Sequence, residues 1–503
     1  MKANEGESKA NTDPQLRIGW AGTDLTPDQP VQIAGQFHVR VSEGVLDPIT
    51  ATALALSSGD GESQTGVVLV SCDLVCIPYG LLKSVRERVA TDTPGLDPDG
   101  VILNATHTHT APDARQETDH LELGGCIPSS GMFTELATME PADYVPFAAQ
   151  RIAEAVGAAW RTRRPSTVGY GLGQAVVGHN RRSSYYSGHS QMYGDTSTAD
   201  FSHIEGYEDH SVNVLATWDA AGELTGVVVN VACPSQVTET LFQLSADYWH
   251  DTRAELRRRL GDGLFVLPQC SVAGDQSPHI LVGKAAEERM LRLAGRTERQ
   301  EIAVRIADAV TAVLPLITNE RSANPVLLHR GETVELSRRK LSEADVQEAL
   351  AEANKLRAEH ETLRNELEAH PEQRDEPRWY VRITECYRRM KWFEAVQKRF
   401  EVGRTHPRLP VEVHVLRIGD AVLATNPFEY YLDFGTQIKA RSAAVQTFLV
   451  QLAGAGTYVP TGRAVAGKSY GATPGSTSVG PEGGRELVDW TVAAIKALWE
   501  AES

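Results

Sequence analysis

Two histidines separated by one threonine, His107-Thr-His109, carry the clearest chemical potential in the 503-residue chain. Imidazole changes charge near neutral pH and is the commonest metal ligand, so such a pair can hold a cation or move protons. The pair closes the apolar run that starts at Val101-Ile-Leu-Asn-Ala, which Pro98-Asp-Gly100 introduces. A short β-branched run bounded in this way reads as a buried strand. Side chains alternate faces along extended chain, so a strand continuing to residue 109 points both rings the same way. The competing reading is that one or both rings only hydrogen-bond within the core.

Four further apolar runs end on groups capable of chemistry. They are Val67 to Asp73, Val227 to Cys233-Pro-Ser-Gln236, Leu264 to Gly274-Asp275-Gln-Ser277-Pro-His279, and Ala421 to Asn426-Pro-Phe-Glu429. Ligands of α/β sheets sit outside the carboxyl ends of the strands, so convergence of these ends predicts an active site.

The elements that must position these ends alternate strand and helix, which predicts an α/β class with mixed sheets. Strands are expected at 17–26, 47–56 and 67–73, a helix at Tyr79–Thr91, and a second helix at about Asp143–Arg161. The passage Asp113–Met139 is long enough for a functional loop near the histidines. Strands recur at 167–170, 212–218, 224–233, 411–418, 421–425 and 446–453, and a helix at Gly484–Ala501 closes the chain. Between about 341 and 402 the pattern changes. Ser342-Glu-Ala-Asp345 has the form of a capping box, Val346, Leu350, Ala353, Leu356, Leu363 and Leu367 mark a long helix, and Pro371 breaks it. Trp379 to Phe400 then supplies a basic, aromatic helix. The expectation is a helical hairpin inserted in one catalytic domain (16–503), serving as an arm, a lid or a homo-oligomer contact.

Composition narrows the classes. A net charge of −17, from 66 acidic and 49 basic residues, argues against a nucleic-acid partner. No run approaches the roughly 18 apolar residues that span a bilayer, so no membrane insertion is expected. Six scattered cysteines without a Cys-x-x-Cys pair suggest reduced thiols. Residues 1–15 are polar and lack an apolar signal core, so a disordered leader and a cytoplasmic location are expected.

The order of motifs resembles the neutral/alkaline (non-lysosomal) ceramidase superfamily of zinc amidohydrolases. Gly19 to Thr26 is similar to its Gly-rich opening, Ala105-Thr-His107-Thr-His109 to its Ala-Thr-His-Thr-His, and Gly274-Asp-Gln-Ser277-Pro to its Gly-Asp-Val-Ser-Pro. Asn426-Pro-Phe-Glu429 resembles its Pro-Gly-Glu, Gly456-Thr-Tyr458-Val-Pro-Thr its Gly-Tyr-Val-Thr-Thr, and Asn180-Arg181 its Asn-Arg pair. The resemblance implies a zinc ion, or another divalent metal, on His107, Glu429 and Tyr458. It places His109, Arg181, Ser277 and Tyr470 around the reacting centre; Asp275, His250 and His279 are further candidates for the substrate rim, His279 standing where the family has asparagine.

The departures are specific. Where the family has its second histidine ligand this chain reads Asn230-Val-Ala-Cys233-Pro-Ser-Gln236, leaving Cys233, Gln236 or His250 to substitute. The family's C-terminal immunoglobulin-like domain finds no match here. The expected function is metal-dependent hydrolysis of an amide or related bond in a soluble, non-lipid small molecule. One alternative is a carbohydrate-active lyase, epimerase or glycosidase using His, Tyr and Arg on an oligosaccharide. The other is a non-catalytic binding protein.

Overall fold

A computed structural model describes residues 15–59, 65–115 and 136–500. The leader expected over 1–15 lies, apart from Gln15, outside the described residues, and so does most of the passage Asp113–Met139.

An eight-stranded mixed sheet runs in the order Phe265–Cys270, Leu224–Val231, Ser211–Asp219, Arg164–Gln174, Arg17–Asp24, Thr50–Ser58, Thr65–Cys72, Val101–Ala105. The outer pairs on both sides are parallel and the inner ones antiparallel. A second, four-stranded sheet orders Leu327–Ser337, Arg408–Ile418, Ala421–Thr425 and Gln446–Val450. The α/β class with mixed sheets is thus the observed one.

The two sheets pack face to face, and the period-two pattern of their strands says why. In Thr50-Ala-Thr-Ala-Leu-Ala-Leu56, Leu54 and Leu56 meet Leu416, Leu423 and Phe448 of the other sheet. Ala51, Ala53 and Ala55 face the opposite way, onto the helices Tyr79–Asp92 and Pro141–Arg161. Small residues on that face let the helices approach closely, while each fully buried leucine contributes on the order of 1.5–3 kcal/mol of burial free energy. The helices Tyr248–Leu260 and Glu298–Ile317 cover the rest of the first sheet. Leu432–Arg441 and Pro481–Glu500 cover the outer face of the second. The stack therefore reads helices, sheet, sheet, helices.

The expected hairpin comprises Glu343–Ala369 and Tyr380–Thr405, joined through a short turn that starts at Pro371. The capping box forms in both directions between Ser342 and Asp345. The hairpin interrupts two strands that pair along their whole length, Ser337 meeting Arg408 on either side of it. It folds back onto the body. Tyr380, Tyr387 and Met390 pack with Val39, Val39 N donates to Thr384 Oγ1 at 3.0 Å, and Arg378 pairs with Glu43 at 2.7 Å.

Strand ends of both sheets are sewn together at one edge. Ala105 N donates to Leu452 O (3.2 Å), Gly274 N to Tyr430 O (2.8 Å), and Gln451 Oε1 accepts from both Ala273 N and Tyr430 N. That seam brings residues 107, 274, 429 and 458 together.

Candidate active site

The strand Val101–Ala105 stops two residues short of His107, which takes a left-handed backbone with φ of 65°. The expected alternation through to His109 therefore does not hold. A non-glycine residue at positive φ costs on the order of 1–3 kcal/mol and persists where its surroundings over-determine it. Here they do: His107 N donates to Leu74 O (3.0 Å) and Nδ1 donates to Val75 O (2.6 Å). The two rings meet through this turn instead, their Nε2 atoms 3.4 Å apart. Gly35, at φ of 98°, leaves the space that His109 fills, since a Cβ there would lie 2.5 Å from His109 Cγ.

Glu429 and Tyr458 are register partners in a two-residue parallel bridge, which is why residues far apart in sequence stand side by side. Glu429 Oε2 lies 3.4 Å from His107 Nε2, and the Tyr458 hydroxyl stands beside the same carboxylate. Burial works to raise the Glu429 pKa, but His107 and Arg181 outweigh it and hold the carboxyl below its usual range. Burial and the adjacent carboxylate push the Tyr458 phenol well up, so on its own it stays protonated.

Arg181 is 3% exposed and is aimed by a second short bridge, Asn180 with Gln276, and by its own N–H donating to Asp275 O at 2.9 Å. Its guanidinium donates to Tyr193 OH (3.3 Å), Gln236 Oε1 (3.1 Å), Gly274 O (3.0 Å) and Tyr458 OH (3.2 Å), and lies 3.8 Å from Glu429.

His109 sits between Gln236, whose Nε2 is 2.7 Å from its Nε2, and Glu239, 3.4 Å from its Nδ1. The amide assignment follows from Arg181 taking the oxygen, which leaves His109 Nε2 as acceptor and Nδ1 as the proton carrier. Burial is the main reason the His109 pKa falls to about 4, so the ring is neutral at pH 7. Glu239 bridges onward to His279 (3.5 Å), and these two imidazoles hold its carboxyl far below the usual range against the effect of burial.

Four candidates are committed elsewhere. Cys233 turns its thiol to the carbonyls of Val177 and Pro234, inside a core with Tyr248 and Trp249, where burial pushes its pKa well up. It is not placed as a ligand; Gln236, three residues on, reaches His109 instead. His250 is exposed on the helix Tyr248–Leu260. Ser277 is buried, and its Oγ accepts from His279 N (2.9 Å), a turn-forming contact. Asp275 spends both carboxylate oxygens on Asn180 Nδ2 and Leu432 N, each at 2.9 Å, and so positions Arg181 rather than a substrate.

A cavity of about 200 Å³ opens onto this group. His107, His109, Glu429, Tyr458 and Tyr470 line one part of it, and Phe37, Arg115 and the insert residues Arg388, Lys391, Trp392 and Arg399 line another. Glu239, Tyr193 and the insert cations are absent from the motifs read in sequence. For the cations a signal exists: 388, 391, 392, 395 and 399 recur at the three-to-four-residue spacing of one helix face.

Whether the residues suit a divalent cation turns on one local fact. His107 Nε2 lies 3.4 Å from both His109 Nε2 and Glu429 Oε2, its Nδ1 proton being given to Val75 O, while His109 Nε2 already accepts from Gln236 Nε2. The close pair of His107 and Glu429 is satisfied by a positive charge between its members, a proton or a metal ion. Imidazole, carboxylate and a phenol that can ionise suit a borderline Lewis acid, and three protein donors leave a coordination position open. The donor set fits. Among the described residues no group of three or more His, Cys, Asp or Glu side chains is placed to hold a metal ion; the set above counts Tyr458 as its third donor.

No family model and no curated protein matches the sequence. Among solved structures, the chain is similar to a ceramidase complexed with C2, with a TM-score of 0.66, 17% identity, and coverage of 97% of this chain and 76% of that one. It is also similar to neutral ceramidase from Pseudomonas aeruginosa, with a TM-score of 0.63, 18% identity, and coverage of 96% and 75%. With the layered sheets and their seam, these likenesses show that the chain has the neutral-ceramidase-like fold.

Proposed function

We propose that the protein is a hydrolase that cleaves an amide or related bond in a small polar substrate, with a divalent ion held by His107, Glu429 and Tyr458. The observation that carries this reading is the convergence of His107 and Glu429, from two remote segments, at 3.4 Å beside a buried guanidinium, with Tyr458 the register partner of Glu429. When bound, the ion supplies Lewis acidity, polarising a carbonyl and acidifying water.

The chain's own residues supply the rest. Arg181 is preorganised by four hydrogen bonds and keeps its charge where negative charge develops on a carbonyl oxygen, at no reorganisation cost. His109 is neutral at pH 7; a proton taken at Nε2 displaces the Gln236 N–H bond held there and is passed to the leaving nitrogen, while Glu239 fixes the tautomer at Nδ1. Burial of the whole group strengthens each of these interactions.

The cavity is smaller than the roughly 300–1,000 Å³ usual for drug-sized ligands, which favours a small substrate over a two-chain lipid. Glycosidases need two carboxylates flanking the bond; among the described lining residues the cavity offers one, Glu429. That disfavours the glycosidase form of the carbohydrate alternative. The test is a screen of short N-acyl amines against oligosaccharides and uronates, with and without added zinc. Zinc-dependent release of free amine supports the reading. Turnover confined to the sugars overturns it.

A further inference from the structure

The chain carries a formal charge of −17, yet its reactive cavity is walled by cations. Among the described residues Arg115, Arg388, Lys391 and Arg399 line it, against a single lining carboxylate, Glu429, which faces His107. Three of the four belong to the helix Tyr380–Thr405, so the insert that interrupts the smaller sheet supplies most of the positive wall.

These cations are held in place by the protein. Arg115 makes two bonds to Asp113 (2.9 and 2.7 Å), Lys391 pairs with Glu394 (2.8 Å), Arg388 donates to Gln32 Oε1 (3.4 Å), and Arg399 donates to the carbonyls of Pro474 (3.1 Å) and Gly475 (2.5 Å). Arg388 is 4% exposed. Fixed cations lose little freedom on meeting an anion, and charge-assisted bonds in a partly desolvated cleft are the strong ones.

Aromatic rings join this wall to the reacting group. Phe37, Trp392 and Tyr470 contact one another at centroid distances of 5.6 to 6.0 Å, and Tyr470 lies 5.6 Å from Tyr458. The cavity therefore presents acceptors for a cation, then flat apolar faces, then guanidinium and ammonium groups.

We infer that the substrate is an acyl amide bearing an anionic group, with a flat or short apolar portion between that group and the scissile bond. The inference rests on the hydrolytic reading for its scissile bond but not for its anion site. A neutral lipid amide fits neither the wall nor the volume.

The test uses the full chain and four matched probes: acetanilide, 4-acetamidobenzoate, 4-acetamidobenzenesulfonate and 4-acetamidophenyl phosphate. Equilibrium dialysis reads binding, and chromatography reads release of the arylamine. At least one anionic probe is expected to bind about tenfold or more tightly than acetanilide, with an advantage that shrinks as salt is raised. Lys391→Gln and Arg399→Met are each expected to lower that ratio severalfold; Lys391 stands on a partly exposed helix face, so its variant keeps the test readable if the other misfolds. Equal or tighter binding of acetanilide overturns the inference, as does a ratio unchanged in the folded variants. Anion preference without arylamine release keeps the cationic wall and removes the hydrolase reading. Equal release and binding across neutral and anionic probes does the reverse.

Discussion

Arg253 and Arg181 are both buried guanidiniums that reach a carboxylate near a strand end. Arg253 grips both oxygens of Asp73, at 2.9 and 3.0 Å, and Thr50 adds its N–H and hydroxyl to the same carboxylate. Arg181 spreads over two tyrosines, a glutamine and a carbonyl, and stands 3.8 Å from Glu429, whose other neighbour is an imidazole nitrogen. The first pair satisfies itself and locks the helix Tyr248–Leu260 to the sheet. The second leaves acceptors facing one another and a charge in excess, which is the condition for binding and chemistry. Position at a strand end does not separate the two; the saturation of the carboxylate does, Asp73 accepting from Arg253 and Thr50 while Glu429 faces an imidazole nitrogen.

Substitutions can break that distinction. His107→Ala or Glu429→Gln should abolish turnover while the chain still unfolds cooperatively, as read by steady-state assay and thermal melting. Asp73→Asn should cost about 3–5 kcal/mol of stability in denaturant unfolding, because it leaves Arg253 buried without its counter-charge. Adding Arg253→Met to that variant should recover part of the loss. Arg181→Met should lower kcat by about 10²–10³-fold, the effect of removing one preorganised oxyanion donor, and pairing it with Glu429→Gln should recover nothing. Gly35→Ala should lower kcat more modestly, through displacement of His109 and strain at φ of 98°. Cys233→Ser should leave zinc affinity unchanged within a factor of about two, checked by competition with a chelator, since its thiol faces the core.

Much of the architecture is legible in the sequence because buried strands carry period-two patterns and the insert carries a capping box. Glu429 and Tyr458 are readable as motif positions, but their adjacency comes from a two-residue bridge that no local pattern encodes. The His-x-His geometry misleads, because alternation holds only for extended chain and His107 leaves it. Cys233 misleads for a related reason. The alternation of Val227, Val229 and Val231 continues to Cys233 and sends the thiol into the core, which leaves Gln236 to face His109. Glu239 follows Val237-Thr with nothing to mark it. The basic stripe at 388, 391 and 399 has helical spacing, yet a solvated basic helix reads identically, and only packing against the cavity tells them apart. The helices Lys284–Ala294 and Glu298–Ile317 contain no polar strand end and enter only with the structure.

The central claim is that the unsaturated cluster around His107 exists to hold a cation. Calorimetric titration of metal-stripped protein with zinc, beside the Glu429→Gln variant, tests it most directly. The account predicts one zinc per chain in the unaltered protein and loss of that binding in the variant. Undiminished stoichiometry and affinity in Glu429→Gln, or no binding by the unaltered chain, would contradict it.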